Sequence, residues 1–157
     1  MTPEGLPAVR TVVLRGADRA RGIVRFHTDR RSGKYCELRA NPAVAVHLYD
    51  HEKKIQLRLR GEARLHAGDG LAAELWSGMR DMSKACYRQP QPPGSAVDEA
   101  REVDAAEPLP DERGLSNFVG VEVLLAELEW LYLAARGHRR AVFDLSAIPP
   151  RGRWLAP

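Results

Sequence analysis

The chain has 157 residues, 44% of them hydrophobic, and a formal charge of +3 from 24 Lys and Arg against 21 Asp and Glu. That length suits a single domain over 1–157 with one core, and no apolar run approaches the roughly 20 residues that span a bilayer. Met1-Thr-Pro-Glu-Gly5 lacks the basic and apolar regions of a signal peptide, so a cytoplasmic location and no membrane partner are expected.

Residues 8–15 and 21–28 are β-branched, alternating segments separated by Gly16-Ala-Asp18, which predicts a β-hairpin. Arg19, Arg21, Arg25, Arg30 and Arg31 crowd this region, raising the question of nucleic acid. Phe26 and Tyr35 make no stacking platform, so the arginines are read as solvated strand residues and no nucleic-acid partner is expected. Ser32 is a candidate N-cap for a helix carrying Tyr35, Leu38 and Arg39, and Asn41-Pro42 ends it. Cys36 on that helix and Cys86 further on form no CxxC pair or zinc-spaced cluster and read as reduced thiols.

Residues 43–50 predict a strand, 51–54 a turn and 55–65 a second strand. Its alternation puts Ile55, Leu57 and Leu59 on one face and Gln56, Arg58 and Arg60 on the other, with Gly61 as a bulge. A helix opens at Asp69-Gly70, with Leu71, Leu75, Met79 and Met82 on one face. Residues 88–114 are rich in Pro, Gly and acid and predict a long excursion with one short helix around 98–105. A strand over 117–133, a turn at 135–137 and a strand over 140–145 close the chain. The expected class is α+β, mainly antiparallel β: a small barrel of about six strands with a few short helices.

Several residues could carry chemistry. Arg10 and Arg15 stand at the two ends of one predicted strand, on opposite faces. Ser32-Gly33-Lys34 opens a helix, where free N–H groups and the positive dipole end favour an anion. Trp130 and Arg140 would meet near-opposite across a hairpin, where an aromatic and a planar cation could flank a flat ring. The five histidines share no metal-ligand spacing, so no metal is expected.

The order and spacing of these residues resemble the pyridoxamine 5'-phosphate oxidase-like family, split barrels that bind flavin mononucleotide (FMN) between the subunits of a homodimer. The segment Arg10-Thr-Val-Val-Leu-Arg15, the run Phe26-His27-Thr28 to Ser32-Gly33-Lys34, Gln56, and Trp130 through Arg136 and His138 to Arg140 carry the likeness. The resemblance implies that Arg10, Thr11, Val12, Val13, Phe26, His27, Thr28, Ser32, Lys34, Gln56, Trp130 and Arg140 hold FMN. It further implies that Arg136 and His138 lie over the substrate ring and that Arg15, Trp76, Arg80 and Ser83 bind substrate. His27 and Gly33 depart from the family's tyrosine and arginine. The implied activity is hydride transfer from a small-molecule substrate, nominally pyridoxamine or pyridoxine 5'-phosphate, to the flavin; a flavin carrier or sensor without turnover is the alternative.

Overall fold

The computed structural model describes residues 2, 5–99 and 106–157. In chain order these form β1 (Gly16–Asp18), β2 (Ile23–Asp29), α1 (Gly33–Ala40), β3 (Ala43–Asp50), β4 (Ile55–His66), α2 (Gly70–Ser77) and α3 (Asp81–Lys84). A single 3₁₀ turn (Ala85–Tyr87), α4 (Asp111–Asn117), β5 (Phe118–Tyr132), β6 (Arg139–Asp144) and β7 (Arg151–Leu155) follow. The strands make one mainly antiparallel sheet in the order β1-β2-β5-β4-β3, with β6 on β5 and β7 on β6. The expected class therefore holds, with seven strands in place of six. Arg151-Gly-Arg-Trp-Leu155 is too short and too polar to alternate, and it becomes a strand by pairing with β6, Trp154 opposite Ala141.

The predicted first strand is corrected. Residues 8–15 form no strand, and the strand residues are Gly16–Asp18, which had read as the turn. The turn lies later because the Asp18 carboxylate accepts the Arg21 N–H at 3.0 Å and Gly22 takes φ +63°. Only Arg15 extends the pairing upstream, its N–H donating to the Arg25 carbonyl at 2.8 Å. Val9 and Val13 are left 97% and 62% exposed.

The described residues pack as two compact units. The first comprises 1–15, 25–41 and 65–122. Its core is Trp76, Ala72 and Phe118, flanked by Leu75, Met79, Tyr87 and Leu115. The Asp69 side chain accepts the Ala72 N–H and starts α2 as expected, but the helix ends at Ser77 against the Gly78 cap. Met82 therefore leaves the predicted apolar stripe and is 87% exposed. The expected helix around 98–105 falls largely on 100–105, outside the described residues.

The second unit comprises 16–24, 42–64 and 123–157. Here β3 and β4 pair antiparallel without interruption from Ala43 opposite Glu62 to Asp50 opposite Ile55, so Gly61 is no bulge in that ladder. Its small size serves a close approach of backbones: a Cβ at Gly61 would lie 2.0 Å from the Leu124 carbonyl oxygen.

Candidate functional site

The first unit gathers one group of the predicted residues. Ser32 caps α1, its Oγ accepting the Tyr35 N–H at 3.4 Å and donating to the Asp29 carbonyl at 2.7 Å. That spends the Ser32 hydroxyl proton, so in its 3.1 Å contact with Thr28 the threonine hydroxyl is the donor. Thr28 and Phe26 are buried on β2. Lys34, in the first turn of α1, places Nζ 5.7 Å from the Phe26 ring centroid. Arg10 reaches the same helix through an ion pair with Glu37. Burial, then repulsion from Arg10, holds the Lys34 ammonium below its ordinary pKa, with Glu37 opposing. Two cations share one carboxylate at a helix start, so one positive charge remains uncompensated where a phosphate would neutralise it.

His27 sits beside this group with its ring edge-on to Phe118, 4.8 Å between centroids. Neither ring nitrogen is solvent-accessible or hydrogen-bonded. Burial, then the charges of Arg15 and Arg25, lowers its pKa to about 4, so the imidazole is neutral at pH 7. One nitrogen then offers a donor and the other an acceptor, both unmet. Tyr87 also packs edge-on against Phe118, 5.2 Å between centroids, and burial raises its phenol to about 12. Thr11, Val12 and Val13 lie in the unpaired segment ahead of β1, and Arg15 closes it, exposed.

The expected substrate set is not assembled as a set. Trp76 is 4% exposed in the core, and its Nε1–H donates to Asp111 at 3.0 Å. That is a packing role with a satisfied polar handle. Arg80 is exposed ahead of α3 and Ser83 is half-buried in it; Lys84 lies 5.2 Å over the Trp76 ring.

The second unit holds Gln56, Trp130, Arg136, His138 and Arg140. Across the β5–β6 hairpin Arg140 pairs with Leu131, whereas Trp130 pairs with Ala141. Cross-strand partners share a face, so Trp130 and Arg140 point to opposite faces and do not flank one ring within a single chain. Arg140 joins the face of Glu129, its Nη2 donating to Glu129 Oε2 at 2.8 Å; Arg58 Nη1 meets Glu129 Oε1 at 3.2 Å. Gln56 alternates onto that face with Arg58. Trp130 lies on the other, in an apolar groove of about 610 Å³ with Leu57, Leu128, Phe143 and Trp154. Arg136 and His138 are exposed in the turn, where Gly137 takes φ +117°.

Sequence reading missed the buried carboxylates. Glu122 is 4% exposed and takes Arg25 through Nε and Nη2 at 3.2 and 2.6 Å. Asp29, 5% exposed, takes Arg31 through its N–H, Nε and Nη2, and Arg31 Nη1 reaches the Gln89 and Pro90 carbonyls. These two arginines are therefore partly buried ties, not solvated residues. The tie fixes Gln89, whose Oε1, like that of Gln91, is shielded from solvent without a hydrogen-bond partner. Among the described residues no group of His, Cys, Asp and Glu could hold a metal ion, and no helix is long and apolar enough to cross a membrane.

Residues 1–67 match the family model described as pyridoxamine 5'-phosphate oxidase, FMN-binding domain. A pyridoxine/pyridoxamine 5'-phosphate oxidase of Rubrobacter xylanophilus is 45% identical over 62 residues, covering 40% of this chain and 28% of that protein. One from Gluconobacter oxydans is 39% identical over 79 residues, 50% of this chain and 38% of that protein. The matches thus span well under half the length of these relatives. Among solved structures, a pyridoxamine 5'-phosphate oxidase-related, FMN-binding protein from Nostoc punctiforme superposes with a TM-score of 0.81 at 21% identity, covering 99% of this chain and 84% of that one. PhzG from Burkholderia lata, solved with tetrahydrophenazine-1-carboxylic acid, gives 0.79 at 23%, covering 100% and 79%. At those identities the structures speak to the fold. Over residues 1–67 the chain is thus similar in sequence to the pyridoxamine 5'-phosphate oxidase, FMN-binding domain, and over nearly its whole length it shares the fold of these two solved structures.

Proposed function

We propose that this chain binds FMN, as one domain over 1–157, and acts as an FMN-dependent oxidoreductase on a small molecule. The observation that carries the reading is the single carboxylate of Glu37 between Arg10 and Lys34, which leaves one positive charge uncompensated at α1, inside the segment that matches an FMN-binding family model. The donor chemistry fits the cofactor. In the first unit Arg10 and Lys34 would hold the phosphate and the neutral His27 nitrogens suit polar atoms of a flat heterocycle; in the second unit, Gln56 and the unmet Nε–H of Arg140 are groups of the kind that suits a ring edge. Thr11, Val12 and Val13 would lie along it, with Phe26, Thr28 and Ser32 shaping the pocket wall.

When bound, FMN supplies a two-electron acceptor. The chain's own residues orient the ring, neutralise the phosphate and exclude water. Arg136 and His138, in the turn of the second unit, would meet the substrate ring. The chain would act as a homodimer, and exposed apolar side chains in each unit support that: Val9 and Val13 in one, and in the other Trp154, 72% exposed beside the apolar groove. Trp130 and Arg140, on opposite faces of their hairpin, would then serve different neighbours. A cytoplasmic protein with no nucleic-acid partner completes the proposal.

One observation favours the carrier alternative for vitamin B6 substrates in particular. With Trp76 buried, the expected phosphate clamp is incomplete. Anaerobic mixing of the FMN-loaded chain with pyridoxamine 5'-phosphate separates the two: bleaching of the flavin supports the oxidase, and an oxidised spectrum across a panel of candidate donors supports the carrier.

A further inference from the structure

The carboxylate of Glu129 is 8% exposed on β5 and engages two guanidinium groups at once, Arg140 at 2.8 Å and Arg58 at 3.2 Å. The hydrogen bond from Arg140 comes first among the causes that hold Glu129 below the ordinary carboxylate range, so the charge persists at neutral pH. Arg60, paired with Glu127 at 3.3 Å, adds a weaker charge interaction but no hydrogen bond to Glu129. The triad carries one net positive charge. In addition, Arg140 Nε is shielded from solvent and has no hydrogen-bond partner. The donors of a guanidinium lie in one rigid plane, so fixing Nη2 on Glu129 also fixes the direction of Nε–H. A buried donor left unmade is unfavourable, and an acceptor-rich ligand edge relieves it.

We propose that Glu129 is a positioning residue that presents Arg140 Nε–H to an acceptor edge of the bound ligand, with Arg58 as the second arm of the clamp. This rests on the FMN reading, which makes that edge the carbonyl and nitrogen rim of the flavin. Glu129 itself touches no ligand and acts through Arg140.

The test is FMN titration by fluorescence quenching on the full chain. Arg140→Ala and Glu129→Gln should each weaken FMN about tenfold, and the double variant no further than Arg140→Ala alone. Glu129→Asp should restore part of the loss. A merely structural glutamate would weaken FMN equally whether or not Arg140 is present. An unchanged Kd in Glu129→Gln or in Arg140→Ala, or additive losses in the double variant, overturns the proposal while leaving FMN binding intact. If the wild type binds no FMN, the functional reading fails first and this inference with it. The wild type also provides a check that needs no variant. The Arg140 Nε–H resonance should be slow to exchange in the apo-protein and should shift on FMN addition, and a resonance indifferent to FMN overturns the proposal.

Discussion

Removing the Lys34 ammonium should weaken FMN binding without harming the apo-protein, and the two effects arise from the same geometry. Lys34 is half-buried, repelled by Arg10 and attracted by Glu37, so its charged form is disfavoured in the apo-protein. Lys34→Ala removes that repulsion together with a contact over Phe26 worth about 0.5–1 kcal/mol. Apo-stability should therefore move by less than about 1 kcal/mol. With FMN present, the lost bond is charge-assisted and worth about 1.5–3 kcal/mol, or roughly 10- to 150-fold in Kd. The pH dependence has a defined sign. Between the lowered folded pKa and 10.5 the unfolded chain binds more protons, so apo-stability rises with pH across that window, and Lys34→Ala removes the rise. A bound phosphate favours the proton, so FMN affinity should fall over the same alkaline window. Fluorescence titration gives Kd, and denaturant melts of the apo-chain give stability. A Kd within twofold of wild type would refute the phosphate role, and an apo-chain destabilised by several kcal/mol would show that Lys34 is structural.

His27 should make apo-stability fall as pH drops from 6.5 to about 4, because the unfolded imidazole takes a proton that the folded one refuses. Allowing for relaxation and partial screening around a ring that is not fully buried, the loss is about 1–2 kcal/mol, and His27→Phe should flatten the profile in urea melts. Trp76→Ala should cost about 3–5 kcal/mol by opening the core around Phe118, whereas Asp111→Ala should cost about 1–3 kcal/mol by stranding the indole N–H. Thermal unfolding decides both, and a stable Trp76→Ala chain with altered substrate binding would return Trp76 to the site. Gly61→Ala should destabilise by about 3 kcal/mol or more, since its Cβ would meet the Leu124 carbonyl at 2.0 Å; a near-neutral variant would contradict the close approach of β4 and β5.

The elements that the sequence made legible are those whose local chemistry is complete. The Ser32 and Asp69 caps, the Asn41-Pro42 stop and the alternation of 55–65 each specify an element without help from elsewhere. What stayed hidden depends on distant partners. Residues 8–15 have a strand's pattern but form no strand, their pairing reaching only to Arg15, and Arg151–Leu155 has a neighbour but no pattern. The faces of Trp130 and Arg140 follow from register, and a shift of one residue in the hairpin reverses them. Arg25 looked solvated because its partner, Glu122, lies 97 residues away. The site was legible as a list of residue types around an anion and a ring, whereas the carboxylates that aim those residues could be found only from the fold.

The most direct test of the account is to purify the full chain, reconstitute it with FMN, remove free flavin, and release and weigh what remains bound. FMN should be found at about one molecule per chain, carried by a dimer. Finding FAD in its place, or no flavin retained after reconstitution, would contradict it.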